Sequence, residues 1–165
     1  LFAVDLKSSY RKDKAHINGM TLGAFTGYFR ERASLKNITH PYADYKAHIV
    51  LGVIYSPVKG IDERRCYSLD QLDQIISVVK DFDFFVQEKW KIAIDRPGSG
   101  NTKNIGSVNR IDDLLNGNGP FAALGEEMFD DYWTHYLTND MAKAAELTEP
   151  YYKNLPEYKR FKNIE

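Results

Sequence analysis

Apolar positions along the chain follow two periods. Residues 2–9, FAVDLKSS, alternate or run apolar around β-branched Val4 and predict a strand. Residues 47–56, AHIVLGVIYS, form a continuous apolar run that reads as a buried strand. A further strand is predicted over residues 84–95, FFVQEKWKIAID. Helical signals come in between and after. Ser68 with Gln71 three residues on is a capping box, which predicts a helix over about residues 69–80. RIDDLLNGNG, residues 110–119, predicts a short helix stopped by Gly117. GEEMFDDYWTHYL, residues 125–137, predicts an amphipathic helix with acids in its first turn, where the helix dipole favours them. Residues 21–32 fit a short helix or a bent strand equally, and the tail beyond Pro150 predicts short helical pieces. Strands ahead of helices predict an α/β or α+β domain, a central mixed β-sheet flanked by helices.

Composition narrows the class. The 165 residues fit one domain, and 43% apolar with 13% aromatic residues supports a packed core rather than disorder. No run of about 18 apolar residues is present, so no membrane partner is expected. The single Cys66 excludes an internal disulfide framework and points to a reducing, cytoplasmic compartment. The chain opens in mid-strand without a Met, which reads as one part of a longer protein truncated at its N-terminus.

Net charge is −1, but it is unevenly spread. Lys7 to Lys36 holds seven Lys/Arg against two acids, whereas Ile111 to Glu149 holds nine acids against one Lys. A basic segment beside a candidate site suits a polyanion, although solvated faces that happen to cluster give the same count. His16, His40, His48 and His135 show no metal-ligand spacing. Trp90, Tyr132 and Trp133 fall on apolar periods and read as core. The acids at 112, 113, 126, 127, 130 and 131 read as capping and solubility.

Two stretches carry chemistry. RPGSGNTKNIGS, residues 96–107, follows a strand-like run and holds three glycines. It lacks the Gly-Lys-Ser/Thr of a Walker loop, Lys103 occupies the third glycine position of a dinucleotide fingerprint, and no long helix follows. No nucleotide cofactor is therefore expected. Asn101, Thr102 and Asn104 beside exposed glycine backbone can read base edges, and an ordinary connecting loop would look much the same. In AVDLKSS, Asp5 and Lys7 share one face of a strand, with Val4 and Leu6 pointing the other way into the core. Such a pair is either a simple ion pair or the half-site of a metal-dependent phosphodiesterase. In the second case Asp5 holds Mg²⁺, Lys7 stabilises charge on phosphorus, and Ser8 and Ser9 donate to phosphate oxygens.

Taken together, AVDLKSSY, TLGAFTGYFR, VQEKWKIAID, GSGNTKNIGS and DDYWTHY resemble the EcoRV-type type II restriction endonucleases of the PD-(D/E)xK nuclease superfamily, from Phe2 to about Thr138. The resemblance implies a restriction-endonuclease-like fold, a homodimer, Mg²⁺ as cofactor, and cleavage of double-stranded DNA within a short palindrome, GATATC being the first expectation. It implies that Asp5 is the second acid of the family motif and Lys7 its lysine, with the Leu6 carbonyl as an extra metal ligand. It makes Gly98, Ser99, Gly100, Asn101 and Thr102 the base-reading loop, with Lys103 and Asn104 at its edge. Thr26 falls at a phosphate-contacting hydroxyl, whereas the neighbouring polar position is Gly27 here. The motif's first acid would lie upstream of Leu1, and Asp95 is better suited to anchoring a loop than to replacing it. A catalytically inert DNA-binding homologue, or a repair nickase on the same fold, remain the other readings.

Overall fold

The computed structural model describes residues 1–36, 38–62, 64–98 and 103–164. Its first sheet joins β1 (Ala3–Tyr10), β3 (His48–Pro57) and β4 (Val79–Glu88) in the order β1-β3-β4. β1 runs parallel to β3, from Ala3↔His48 to Tyr10↔Tyr55, and β4 runs antiparallel to β3. The second sheet, in the order β2-β6-β5, is antiparallel and is built from β2 (Thr21–Ala24), β5 (Ala93–Pro97) and β6 (Asn104–Ser107). The chain is thus the mixed α+β domain expected, with its strands divided between two three-stranded sheets.

Two expected elements come out differently, and an open one is resolved. The strand expected over 84–95 is two strands joined by a helical turn, α1 (Lys89–Ile92). At that turn the chain leaves the first sheet for the second, burying Lys89 and Ile92. A period-2 pattern cannot show such a crossing, because both flanking segments are strands. The helix expected over 69–80 is a 3-10 turn over Leu69–Gln74, and β4 already begins at Val79. Its cap forms, with the Ser68 N–H donating to Gln71 Oε1 at 3.3 Å. The helix does not continue because Leu69, Leu72, Ile75 and Ile76 stay exposed, and helical stability comes mostly from packing an apolar face. The ambiguous 21–32 segment resolves into β2 followed by a 3-10 turn over Gly27–Phe29.

The core lies between the second sheet and the helices. α2 (Ile111–Asn116) ends at Gly117, whose φ of 66° is the left-handed cap expected. α3 (Glu126–His135) buries Phe129, Tyr132 and Trp133, the last two as expected for core positions. Phe25, on the segment after β2, stacks on Trp133 with ring centroids 5.0 Å apart. α4 (Asn139–Ala144) is capped by Thr138, and α5 (Leu155–Lys162) by Asn154. Asp95 ties α5 to β5: its Oδ2 accepts from the Leu155 N–H at 2.9 Å, and its carbonyl accepts from the Tyr132 hydroxyl at 2.6 Å. It is a loop anchor, as expected. Two acids of α3, expected to serve capping and solubility, instead join distant segments. Asp130 pairs with Arg32 at 2.8 Å, and Asp131 pairs with Lys162 at 2.8 Å while accepting from the Tyr158 hydroxyl.

β1 is turned over relative to expectation. Val4 and Leu6 are 61% and 72% exposed, while Ser9 on the Asp5 face is buried. Leu6 shares its bare face with Leu51, Val53 and Phe84, and no described element packs over them. The interior of the fold lies instead on the side of Asp5 and Lys7, because the second sheet and α1 sit there.

Candidate active site

β1 is an edge strand, so its inward residues meet the gap between the sheets rather than another strand. Asp5 and Lys7 stand two residues apart on that side, and Lys7 Nζ lies 2.9 Å from Asp5 Oδ2. Asp5 is about half exposed and Lys7 about a quarter. The pair is therefore accessible and can exchange its partner for a charged ligand at little cost.

Asp5 borders a cavity of about 240 Å³. Leu22 and Gly23 of β2, Tyr28, His48 and Val50 of β3, and Lys89 of α1 line the rest. Local sequence sets each of these. Gly23 has φ of 90°, which only glycine adopts without strain, and this brings the β2 backbone close to Tyr28 and Lys89. Lys89 is buried because the helical turn carries it inward at the crossing between sheets.

Sequence reasoning missed Lys89, His48 and Tyr28. The sequence offered little signal for Lys89, because VQEKWKIAID also carries Glu88, Lys91 and Asp95. Burial lowers the Lys89 ammonium to about 8, against the pull of Asp130 and Asp5. Burial, and then the positive charge of Lys89, lowers His48 to about 4. His48 stacks on Tyr42 with centroids 3.9 Å apart, and its Nε2 is buried without a partner. A histidine held neutral in the fold contributes stability that is complete above its unfolded value of about 6.5 and is lost as pH falls toward 4. His48→Phe, which keeps the stack, is expected to lose less stability than the wild type between pH 7 and pH 5. Urea midpoints at the two pH values check this, and an equal fall in both proteins would count against it.

β5 and β6 are antiparallel neighbours in the second sheet. The Gly98 N–H donates to the Asn104 carbonyl at 3.0 Å. Gly98 and Gly106 face each other so closely that a Cβ on Gly106 would lie 2.8 Å from the Gly98 Cα. β6 begins at Asn104, where a nucleotide cradle would place a helix. Ser99, Gly100, Asn101 and Thr102 lie outside the described residues. Lys103 is exposed, and its carbonyl accepts from the Phe25 N–H at 3.0 Å, which sets Thr26 beside the loop base. The fold therefore brings together Asp5, Lys7 and the cavity on one side of β2, and Thr26, Gly98, Lys103 and Asn104 at its end.

It does not bring in both serines. Ser9 is buried, and its hydroxyl donates to the Asn18 carbonyl at 2.7 Å. Ser8 is exposed on the Leu6 face, opposite Asp5. Leu6 can reach a metal only through its carbonyl. Among the described residues, no group of three or more His, Cys, Asp or Glu is arranged to hold a metal ion. Mg²⁺ takes one or two carboxylates and fills its remaining positions with water and substrate phosphates, so the single accessible Asp5 fits that mode. No described helix is long and apolar enough to cross a membrane.

The chain is similar to the type II restriction enzyme EcoRV of Escherichia coli, 34% identical over 161 residues, which are 96% of this chain and 62% of that enzyme. The chain thus spans less than two thirds of the relative's length. The family model for restriction endonuclease EcoRV matches residues 1–163. On this match the chain belongs to the EcoRV restriction endonuclease family.

Proposed function

We propose that this chain carries the catalytic and base-reading part of a Mg²⁺-dependent, site-specific endonuclease that hydrolyses double-stranded DNA within a short palindrome. The observation that carries the reading is the Asp5–Lys7 pair at 2.9 Å, accessible beside a cavity with a buried cation in its wall. Asp5 would hold the metal, with the Leu6 carbonyl as a further oxygen. When bound, Mg²⁺ supplies Lewis-acid polarisation of the phosphate and eases formation of the attacking hydroxide. Lys7 releases its pairing with Asp5 and places its ammonium where negative charge grows on the phosphoryl oxygens. Residues 98–104 read base edges, while Thr26 and Lys103 hold the backbone in register. A homodimer would present two such segments to the two halves of a palindrome, each subunit cutting one strand.

The test is digestion of a plasmid with one GATATC site, with Mg²⁺ and with EDTA. A single linear product formed only with Mg²⁺ is expected. Cleavage in EDTA would overturn the metal dependence, and random fragments would overturn the site specificity. A second reading, an inert DNA-binding homologue, is favoured by the absence, among the described residues, of any group of three or more His, Cys, Asp or Glu that could hold a metal ion. Mg²⁺-independent retention of the same duplex in a gel, with no cutting, would select it.

A further inference from the structure

Lys89 has no use in the scheme above. It is 5% exposed, and among the described residues it makes no hydrogen bond or ion pair. Its nearest compensation is aromatic: Nζ lies 5.1 Å from the Phe29 ring centre and 5.6 Å from that of Tyr42. Asp130, a carboxylate that attracts it, gives one oxygen to Arg32 at 2.8 Å, and its other oxygen is buried without a hydrogen-bond partner. Cation–π contact offsets only part of the cost of burying an ammonium. A charge kept in that condition lowers stability unless something else occupies its hydrogen-bonding positions.

The cavity shows what that occupant is. A Cβ placed on Gly23 would lie 3.8 Å from Lys89 Nζ and 3.5 Å from the Tyr28 hydroxyl. Two donors therefore converge above one glycine, and neither has a hydrogen-bond partner among the described residues. The absence of a side chain at Gly23 leaves their shared space open. His48, whose Nε2 is buried without a partner, is also among the residues that line the cavity. Asp5 lines the same cavity, so a tetrahedral oxyanion could direct one oxygen at Lys89 and Tyr28 and another toward a metal held by Asp5.

We propose that Lys89 and the Tyr28 hydroxyl form a phosphate-oxygen site in the wall of the Asp5 cavity, and that a DNA backbone phosphate is its occupant. The identity of the occupant rests on the endonuclease reading. The oxyanion site rests on the geometry alone. Lys89 is then a catalytic residue, since its ammonium touches the substrate phosphate, and its burial makes the contact strong because water does not screen it.

The experiment uses Lys89→Met, which keeps the unbranched stem and removes the charge, and Lys89→Arg, which keeps the charge. Without added anion, Lys89→Met is expected to melt at or above the wild-type temperature, because it removes an uncompensated buried cation. A clearly lower melting temperature would make Lys89 a structural residue and overturn the proposal. Inorganic sulfate, titrated at constant ionic strength against chloride, is expected to raise the melting temperature of the wild type and not that of Lys89→Met. An equal response in the two proteins would also overturn it. With duplex DNA, Lys89→Met is expected to lower the single-turnover cleavage rate at least roughly tenfold, with Lys89→Arg recovering part of the loss. Equal cutting by wild type and Lys89→Met would overturn it as well. A sulfate response specific to Lys89 in a protein that neither binds nor cuts DNA would support the site and instead sink the endonuclease reading.

Discussion

Lys7→Ala is expected to bind a cognate duplex within about threefold of the wild type and to cut it on the order of 10²–10³ times more slowly. The asymmetry follows from where Lys7 sits. It is one cation on an edge strand, about a quarter exposed and neutralised by Asp5 in the free protein. Ground-state binding gains little from it, since it must give up that pairing first. The transition state gains more, because negative charge grows on the phosphoryl oxygens that its ammonium reaches, and groups placed there act without reorganising. Stability should hardly change, as a partly exposed ion pair is worth about 1 kcal/mol or less. Single-turnover rates and duplex affinities, measured together with a melting curve, separate these contributions. Cleavage at a near-normal rate would remove Lys7 from the chemistry, and a loss of affinity as large as the loss of rate would make it a binding residue.

Gly52→Ala is expected to destabilise the fold by about 3 kcal/mol, the upper end of what overpacking costs. Gly52 pairs with Phe85 across the β3–β4 ladder, and a Cβ on it would lie 2.0 Å from two carbons of the Phe85 ring. The ring is buried and cannot rotate aside without opening the space it fills. An alanine in a strand interior ordinarily gains a little over glycine, so destabilisation here isolates the steric effect. In a Phe85→Ala background the same substitution should cost far less, since the added methyl then enters vacated space. Chemical denaturation of the two single variants and the double variant gives the coupling. Additive losses would show that the glycine is needed for some reason other than the ring. Because Gly52 also pairs with Lys7 across β1–β3, loss of this packing should slow cleavage as well.

Much of the site was legible in the sequence because it is local. A carboxylate and a lysine two residues apart on a strand share a face whatever the rest of the chain does, and Asp5 and Lys7 do. The stretch read without a Walker or dinucleotide pattern runs from the end of β5 into β6, and Gly106 lies within β6. Ser8 was harder to place. The alternation that pairs Asp5 with Lys7 also sets Ser8 on the Leu6 face, and its polarity suggested otherwise. Ser9 has the right parity, but its hydroxyl is taken by the Asn18 carbonyl nine residues away. Nothing within the strand encodes that partner.

The sequence by itself determined the periods of the strands, the cap of the helix at Gly117, and the pairing of Asp5 with Lys7, because each depends on neighbours within a few residues. Only the tertiary structure decided which face of β1 points inward, since Val4 and Leu6 look like core and are the exposed side. Only it could break VQEKWKIAID into two strands and a turn, since that break exists to carry the chain between sheets. Lys89 follows from the same crossing. Its partners in the cavity come from segments more than thirty residues away in the sequence, and contacts over such separations leave no periodic trace in the chain that forms them.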